Sequence, residues 1–200
     1  MGGVRGFRAI LITLLAAACL GASVAMAAMH INRSVSFSGG LTTSTSGTRT
    51  TLAKLAGSGT TNPCAGSNVS LAACGTFVGA TSADGAVTLR ASGTAVTICT
   101  NQGGTAAPGQ NPKVTVTGSQ PIAAGFVKNG TFSFSTLTQP PSLTWQQAGC
   151  ANSNWSAQVT GIVFSNANIS VVQNGVQTFN QNYVRCPSGW KPTQGLSSPC

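Results

Sequence analysis

The chain has 200 residues, 42% of them hydrophobic and only 6% charged, with 10 Lys and Arg against a single acid, Asp84, for a formal charge of +9 at neutral pH. Ordinary domains carry roughly 25% charged residues, so solubility here falls to Ser, Thr, Asn, Gln and Gly. One acidic side chain excludes the paired carboxylates of a glycosidase and the clustered anions of a calcium or magnesium site, and the one histidine, His30, would leave a Ser-His-acid hydrolase only Asp84 as its acid.

Met1 to Ala27 has the parts of a secretory signal: Arg5 and Arg8, an apolar run from Ala9 to Leu20, and small residues around Ala25-Met26-Ala27. The run falls short of the about 20 residues that span a bilayer. Soluble export is therefore expected, with residues 28–200 as a single domain and no transmembrane segment. A competing cut before Cys19 would leave a lipid-tethered protein, but Ala16 stands where lipoprotein signals usually carry a larger aliphatic residue. Loss of Arg5 and Arg8 leaves a net charge of +7.

Six cysteines remain: Cys64, Cys74, Cys99, Cys150, Cys186 and Cys200. In an exported chain an even number reads as a disulfide framework, and local closure favours Cys64 with Cys74 and Cys186 with Cys200, leaving Cys99 with Cys150 as the long-range staple. With no Cys-x-x-Cys spacing and one histidine, a zinc site is not expected, and neither is any other cofactor.

Ile31 to Ser38 alternates, with Ile31, Arg33, Val35 and Phe37 on one side. The Ser/Thr/Gly-rich stretch that follows, to residue 62, fits a linker, a glycosylated surface or a polar edge strand equally well. The core is expected over residues 63–185. Strands are predicted at Val69–Ala72 extending through Thr76–Ala80, and after the Asp84-Gly85 turn along Ala86–Ala91. Ala95–Thr100 and Lys113–Thr117 flank a loop, Asn101–Pro112, heavily punctuated by Gly and Pro. Gln120–Val127 and Thr131–Thr136 read as a hairpin closed by Lys128-Asn129-Gly130, and Trp155, Ala157 and Val159 share a strand face. Asn174-Gly175 suits a type I′ turn and would place Val171 opposite Thr178 and Ile169 opposite Asn180. Residues 186–200 show no strand period and read as a disulfide-closed loop displaying Trp190. No helical period survives beyond the signal. The fold class is all-β, a two-layer antiparallel sandwich of Greek-key type, with a Greek-key barrel as the alternative.

The motif CTNQGG at Cys99–Gly104, PGQN at Pro108–Asn111, VTVTG at Val114–Gly118 and GCANSNWS from Gly149 resemble a pattern in small exported bacterial proteins of uncharacterised function. The resemblance covers about the second half of the chain and implies bacterial export and a β fold, with no activity attached.

The inventory favours binding over catalysis. Trp145, Trp155, Trp190 and Tyr183 are candidate platforms for sugar or polymer, and Trp190 is set on a turn by Pro187, Gly189 and Pro192. The Asn101–Pro112 loop offers backbone groups with Asn101, Gln102, Gln110 and Asn111. The cations, among them Arg90, Lys113, Lys128, Arg185 and Lys191, are dispersed, so no specific nucleic-acid partner is expected. The expected partner is a cell-wall polysaccharide or anionic wall polymer. Self-association through strand edges, as in the subunit of a surface layer, fibre or coat, is the alternative.

Overall fold

A computed structural model describes residues 28–32, 34–44, 51–53, 64–194 and 200. The expected signal with its alternative site at Cys19, Arg33, and most of the Ser/Thr/Gly-rich segment lie outside the described residues.

Two antiparallel sheets face each other, as the alternation predicts. In the smaller, β5 (Leu71–Val78) is central. Along one edge β5 receives β1 (His30–Ile31) and then β2 (Ser36–Gly39); the other edge receives β9 (Thr131–Leu137). The larger sheet is built on two long strands, β6 (Gly85–Asn101) and β10 (Trp155–Gln173), paired along their whole length. β10 continues to β11 (Val176–Cys186) and β12 (Gly189–Pro192), while the far edge of β6 holds β8 (Lys113–Ile122) and β7 (Ala106–Pro108). A two-stranded ladder, β3 (Thr42–Ser44) with β4 (Thr51–Ala53), gives the Ser/Thr/Gly-rich segment paired strand structure at both its described ends.

Alternate residues of the long strands fill the interior: Val87, Leu89, Ala91 and Ala95 from β6, and Ile162, Ala167, Ile169 and Val171 from β10. Opposite them the small sheet contributes Leu71, Ala73 and Phe77 with Phe132 and Phe134. Phe77 is the centre, with ring centroids 5.1 Å from Phe132, 4.8 Å from Phe134 and 4.9 Å from Phe179. Each such pair adds about 1 kcal/mol beyond its area burial. One flank of the sandwich is sewn shut where β8 meets β9. There the Gln139 N–H donates to the Thr117 carbonyl at 3.0 Å and the Ser135 N–H to Gln120 Oε1 at 2.7 Å. Gly118 is required at this seam, because a Cβ there would run into the Leu137 carbonyl.

All three disulfides join the pairs expected from local closure: Cys64–Cys74, Cys99–Cys150 and Cys186–Cys200. Other expectations need correction. β6 is one 17-residue strand rather than two; the period of two runs unbroken through Gly93, where close approach to the Val163 carbonyl leaves no room for a side chain. Asn129 and Gly130 do make a positive-φ turn (50° and 71°), but it closes only the Lys128–Thr131 bridge. A 3-10 turn at Ala124–Phe126 intervenes, and the strands on either side, β8 and β9, belong to different sheets.

At Asn174-Gly175 the turn is as predicted, but the register slips by one. Val172 pairs with Gln177 while Val171 pairs with Phe179, so Thr178 is an extra, bulged residue. An unbroken ladder would send Phe179 to the outer face. The bulge returns it to the interior against Phe77.

Candidate functional site

The flank opposite the β8–β9 seam is open. Between β1 and the β11–β12 pair lies a groove of about 570 Å³, walled by Met29, Ile31, Val35, Phe179, Tyr183 and Trp190. Asn180, Gln181 and Gln194 supply amide groups along it. Its concave shape and its volume are in the range of ligand sites, and its lining mixes apolar and polar side chains.

Local chemistry fixes the wall. Pro187-Ser188 turns the chain so that Cys186 pairs with Gly189, whose φ of 116° demands glycine. β12 can then run back along β11, with Trp190 opposite Arg185, and Pro192 ends the strand. The C-terminal segment is thus an edge strand over its first part, not the loop without strand structure that its composition suggests. A four-residue edge containing Pro also blunts further pairing. Thr193 and Gln194 fold onto β11: the Thr193 N–H donates to the Asn182 carbonyl at 2.9 Å, and Gln194 Nε2 to the Asn180 carbonyl at 3.3 Å.

Trp190 is half-buried. Its ring lies 4.8 Å from Phe37, which also meets Tyr183 edge-on at 4.9 Å, and the Arg185 guanidinium sits 5.7 Å from the indole centroid. The indole Nε1–H is shielded from solvent and has no hydrogen-bond partner among the described residues. An unpaired donor of this kind costs about 1–3 kcal/mol. Burial pushes the Tyr183 hydroxyl up to about 12, so it stays protonated across the physiological range. At the mouth, Thr178 Oγ1 contacts Met29 Sδ at 3.7 Å, and His30 is exposed with Nδ1 3.2 Å from the Ala28 carbonyl.

The other predicted binding residues lie elsewhere. Asn101 and Gln102 are at the far end of β6, which lies three strands across from β12, about 14 Å at the usual strand spacing. The loop they begin is bound to its neighbours. Asn101 Oδ1 accepts the Thr105 N–H at 2.8 Å, the Gly109 N–H donates to the Thr97 carbonyl at 2.9 Å, and the Gln110 N–H to the Ala148 carbonyl at 2.7 Å. Thr97 Oγ1 donates to the Gln110 carbonyl, and the Gln110 side chain packs over Gly149. Cys99–Cys150 anchors this assembly, with Ala148 buried beside it and Trp145 and Trp155 packed around. Gln102 and Asn111 are exposed.

Among the described residues no group of three His, Cys, Asp or Glu side chains is placed to hold a metal ion. Asp84 is used locally: its Oδ1 accepts the Ala124 N–H at 2.9 Å and its carbonyl the Asn174 N–H at 2.9 Å, tying three turns at one end of the sandwich. No helix among the described residues is long and apolar enough to cross a membrane. Comparison with protein-family models, with characterised proteins and with solved structures finds no match to this chain.

Sequence reasoning reached Trp190 and Tyr183 singly and missed that they share a groove with Phe179. The encounter depends on Phe37, nearly 150 residues away in sequence, and on the Thr178 bulge. Phe37 was legible as a core-facing residue from its alternation with Ile31 and Val35; its partner was not.

Proposed function

We propose that the protein is an exported, non-catalytic binding module that holds a polysaccharide of the cell wall or surface in the groove beside Trp190. The observation that carries this reading is the groove itself: aromatic walls from Phe179, Tyr183 and Trp190, with Asn180, Gln181 and Gln194 along one side. Sugar rings present apolar C–H faces and a rim of hydroxyls, and such a wall meets both.

Affinity electrophoresis through gels containing neutral glucans, chitin fragments or peptidoglycan glycan strands tests the reading. Retardation by one class, lost in Trp190→Ala while circular dichroism shows the variant still folded at the temperature of the gel, is the expected result. Equal mobility of both proteins in every gel would contradict it.

One observation favours assembly instead. Among the described residues, β11 covers β10 only from Asn166 onward, and the edge of the Trp155–Gly161 half pairs only with β6. Concentration-dependent oligomers on size exclusion, lost when Pro replaces Gln158, would select that second reading.

A further inference from the structure

The outer face of the large sheet carries a second arrangement, on the side away from the core. Where β10 passes Ser165 its register against β6 shifts, and Phe164 pairs with Gly93 while Asn166 pairs with Ser92. Ser165 is the bulged residue, and its Oγ donates to the Ser92 carbonyl at 3.3 Å. The bulge leaves Ser165 and Asn166 both exposed and turns Asn166 so that its Nδ2 donates to Ser165 Oγ at 3.0 Å. Bulges bend a sheet and re-aim side chains, and a cavity of about 320 Å³ lies at this place.

Two rows of polar side chains run along this face of the sheet, and all of them but Thr117 line the cavity. Thr117, Arg90, Asn168 and Asn182 stand in register on β8, β6, β10 and β11; Thr115, Ser92 and Asn166 form the next row. Asn168 is held by its Nδ2, which donates to Asn180 Oδ1 at 2.6 Å and Asn182 Oδ1 at 2.7 Å. Its own Oδ1 takes no hydrogen bond among the described residues. Arg90 stands exposed in the centre, with no ion pair or hydrogen bond among the described residues and no carboxylate in the cavity.

We infer that this cavity is a second binding site, which recognises an oxyanion, carboxylate or phosphate, carried on a polyhydroxylated polymer, with Arg90 reading the charge and Asn166, Asn168 and Thr115 the hydroxyls. The Arg fork matches two oxygens of such a group at once, which a lysine does not. Amides already held in place by neighbouring side chains bind hydroxyls with little further ordering. The site lies beside the Trp190 groove: Tyr183 lines both, and Thr193 and Gln194, adjacent in the chain, line one each. The inference rests on reading the chain as a polymer-binding module, but it assigns a different site and a different chemistry.

The test measures retention on polygalacturonate (carboxylate), poly(glycerol phosphate) (phosphodiester) and dextran (neutral), for wild type, Arg90→Gln, Arg90→Lys and Lys113→Gln. Lys113 is an exposed cation on the same sheet, its Nζ bonded to Thr94 Oγ1 at 2.8 Å, outside the cavity. The inference predicts binding to one or both anionic polymers, weakened tenfold or more in Arg90→Gln, partly restored in Arg90→Lys and within twofold of wild type in Lys113→Gln. Which anionic polymer is retained tells carboxylate from phosphodiester. Equal weakening by Arg90→Gln and Lys113→Gln would show diffuse charge attraction and overturn the inference, as would no binding to either anionic polymer. Loss of the neutral-glycan binding assigned to the Trp190 groove, with the Arg90 effect intact, would remove that assignment and leave this one standing.

Discussion

The Asn101–Pro112 crossover and the C-terminal segment that carries Trp190 are both polar, glycine-punctuated and fastened by a disulfide, yet the structure uses them differently. In the crossover the polar groups are spent on the protein: Asn101 on Thr105, Gln110 on Ala148, and Thr97 on Gln110. The groove's amides are bonded too, Gln181 Nε2 to the Asn182 carbonyl and Gln194 Nε2 to the Asn180 carbonyl, but it also presents the half-exposed rings of Phe179 and Trp190, and the indole donor has no partner among the described residues. Composition does not separate the two regions. The difference is the aromatic surface, and on the proposed reading it makes the crossover framework and the groove the candidate place for a ligand.

The largest expected effect concerns the framework. Replacing Cys99 and Cys150 together by Ala opens a link between residues 51 apart in sequence. In the chain-entropy model this costs about 4 kcal/mol, read as a lower denaturant midpoint, and glycan affinity in whatever remains folded should be unchanged. A loss of binding greater than the loss of folded protein would dissolve the contrast. Thr97→Val should cost about 1 kcal/mol, because it removes the hydroxyl that bonds the Gln110 carbonyl from a buried position. Equilibrium unfolding measures this directly.

Two buried polar atoms sharpen the comparison from the other side. Thr136 Oγ1, like Trp190 Nε1, has no partner among the described residues, but Thr136 is only 1% exposed and faces the closed core. Thr136→Val should therefore stabilise the protein by about 1 kcal/mol without touching binding. Tyr183 gives the groove a pH signature. Its hydroxyl is raised by burial to about 12 against an ordinary 10.0, so the unfolded chain loses that proton first. Its contribution to stability is full below pH 10 and is lost as pH climbs toward 12. Tyr183→Phe should remove that part of the alkaline decline in denaturant midpoint. The smallest effect is expected at Gln102 and Asn111: alanine at either should leave stability within about 0.5 kcal/mol and binding unchanged.

Much of the sandwich was legible because its signals are local. Period-two alternation, Asn-Gly turns and cysteine spacing gave the strands, the 174–175 hairpin and all three disulfides. What escaped is set by contacts between distant strands. The extra residues Thr160, Ser165 and Thr178 look like any others in an alternating run. Two of them earn their place only in the fold, where Thr160 Oγ1 and Ser165 Oγ donate to the Val96 and Ser92 carbonyls of β6. Those shifts decide which way Phe179 and Asn166 point, and so create both cavities. Trp190 was legible as a candidate, but its turn hid a strand because Pro187 and Gly189 dominate the local composition.

The most direct test of the central claim follows the three indole N–H signals of 15N-labelled protein while a retained neutral glycan is titrated. The account predicts that the Trp190 signal moves, as ligand settles against the indole ring in the groove, while those of Trp145 and Trp155 beside the Cys99–Cys150 disulfide stay in place. Movement of Trp145 or Trp155 with Trp190 unchanged would put the ligand at the crossover and contradict the account.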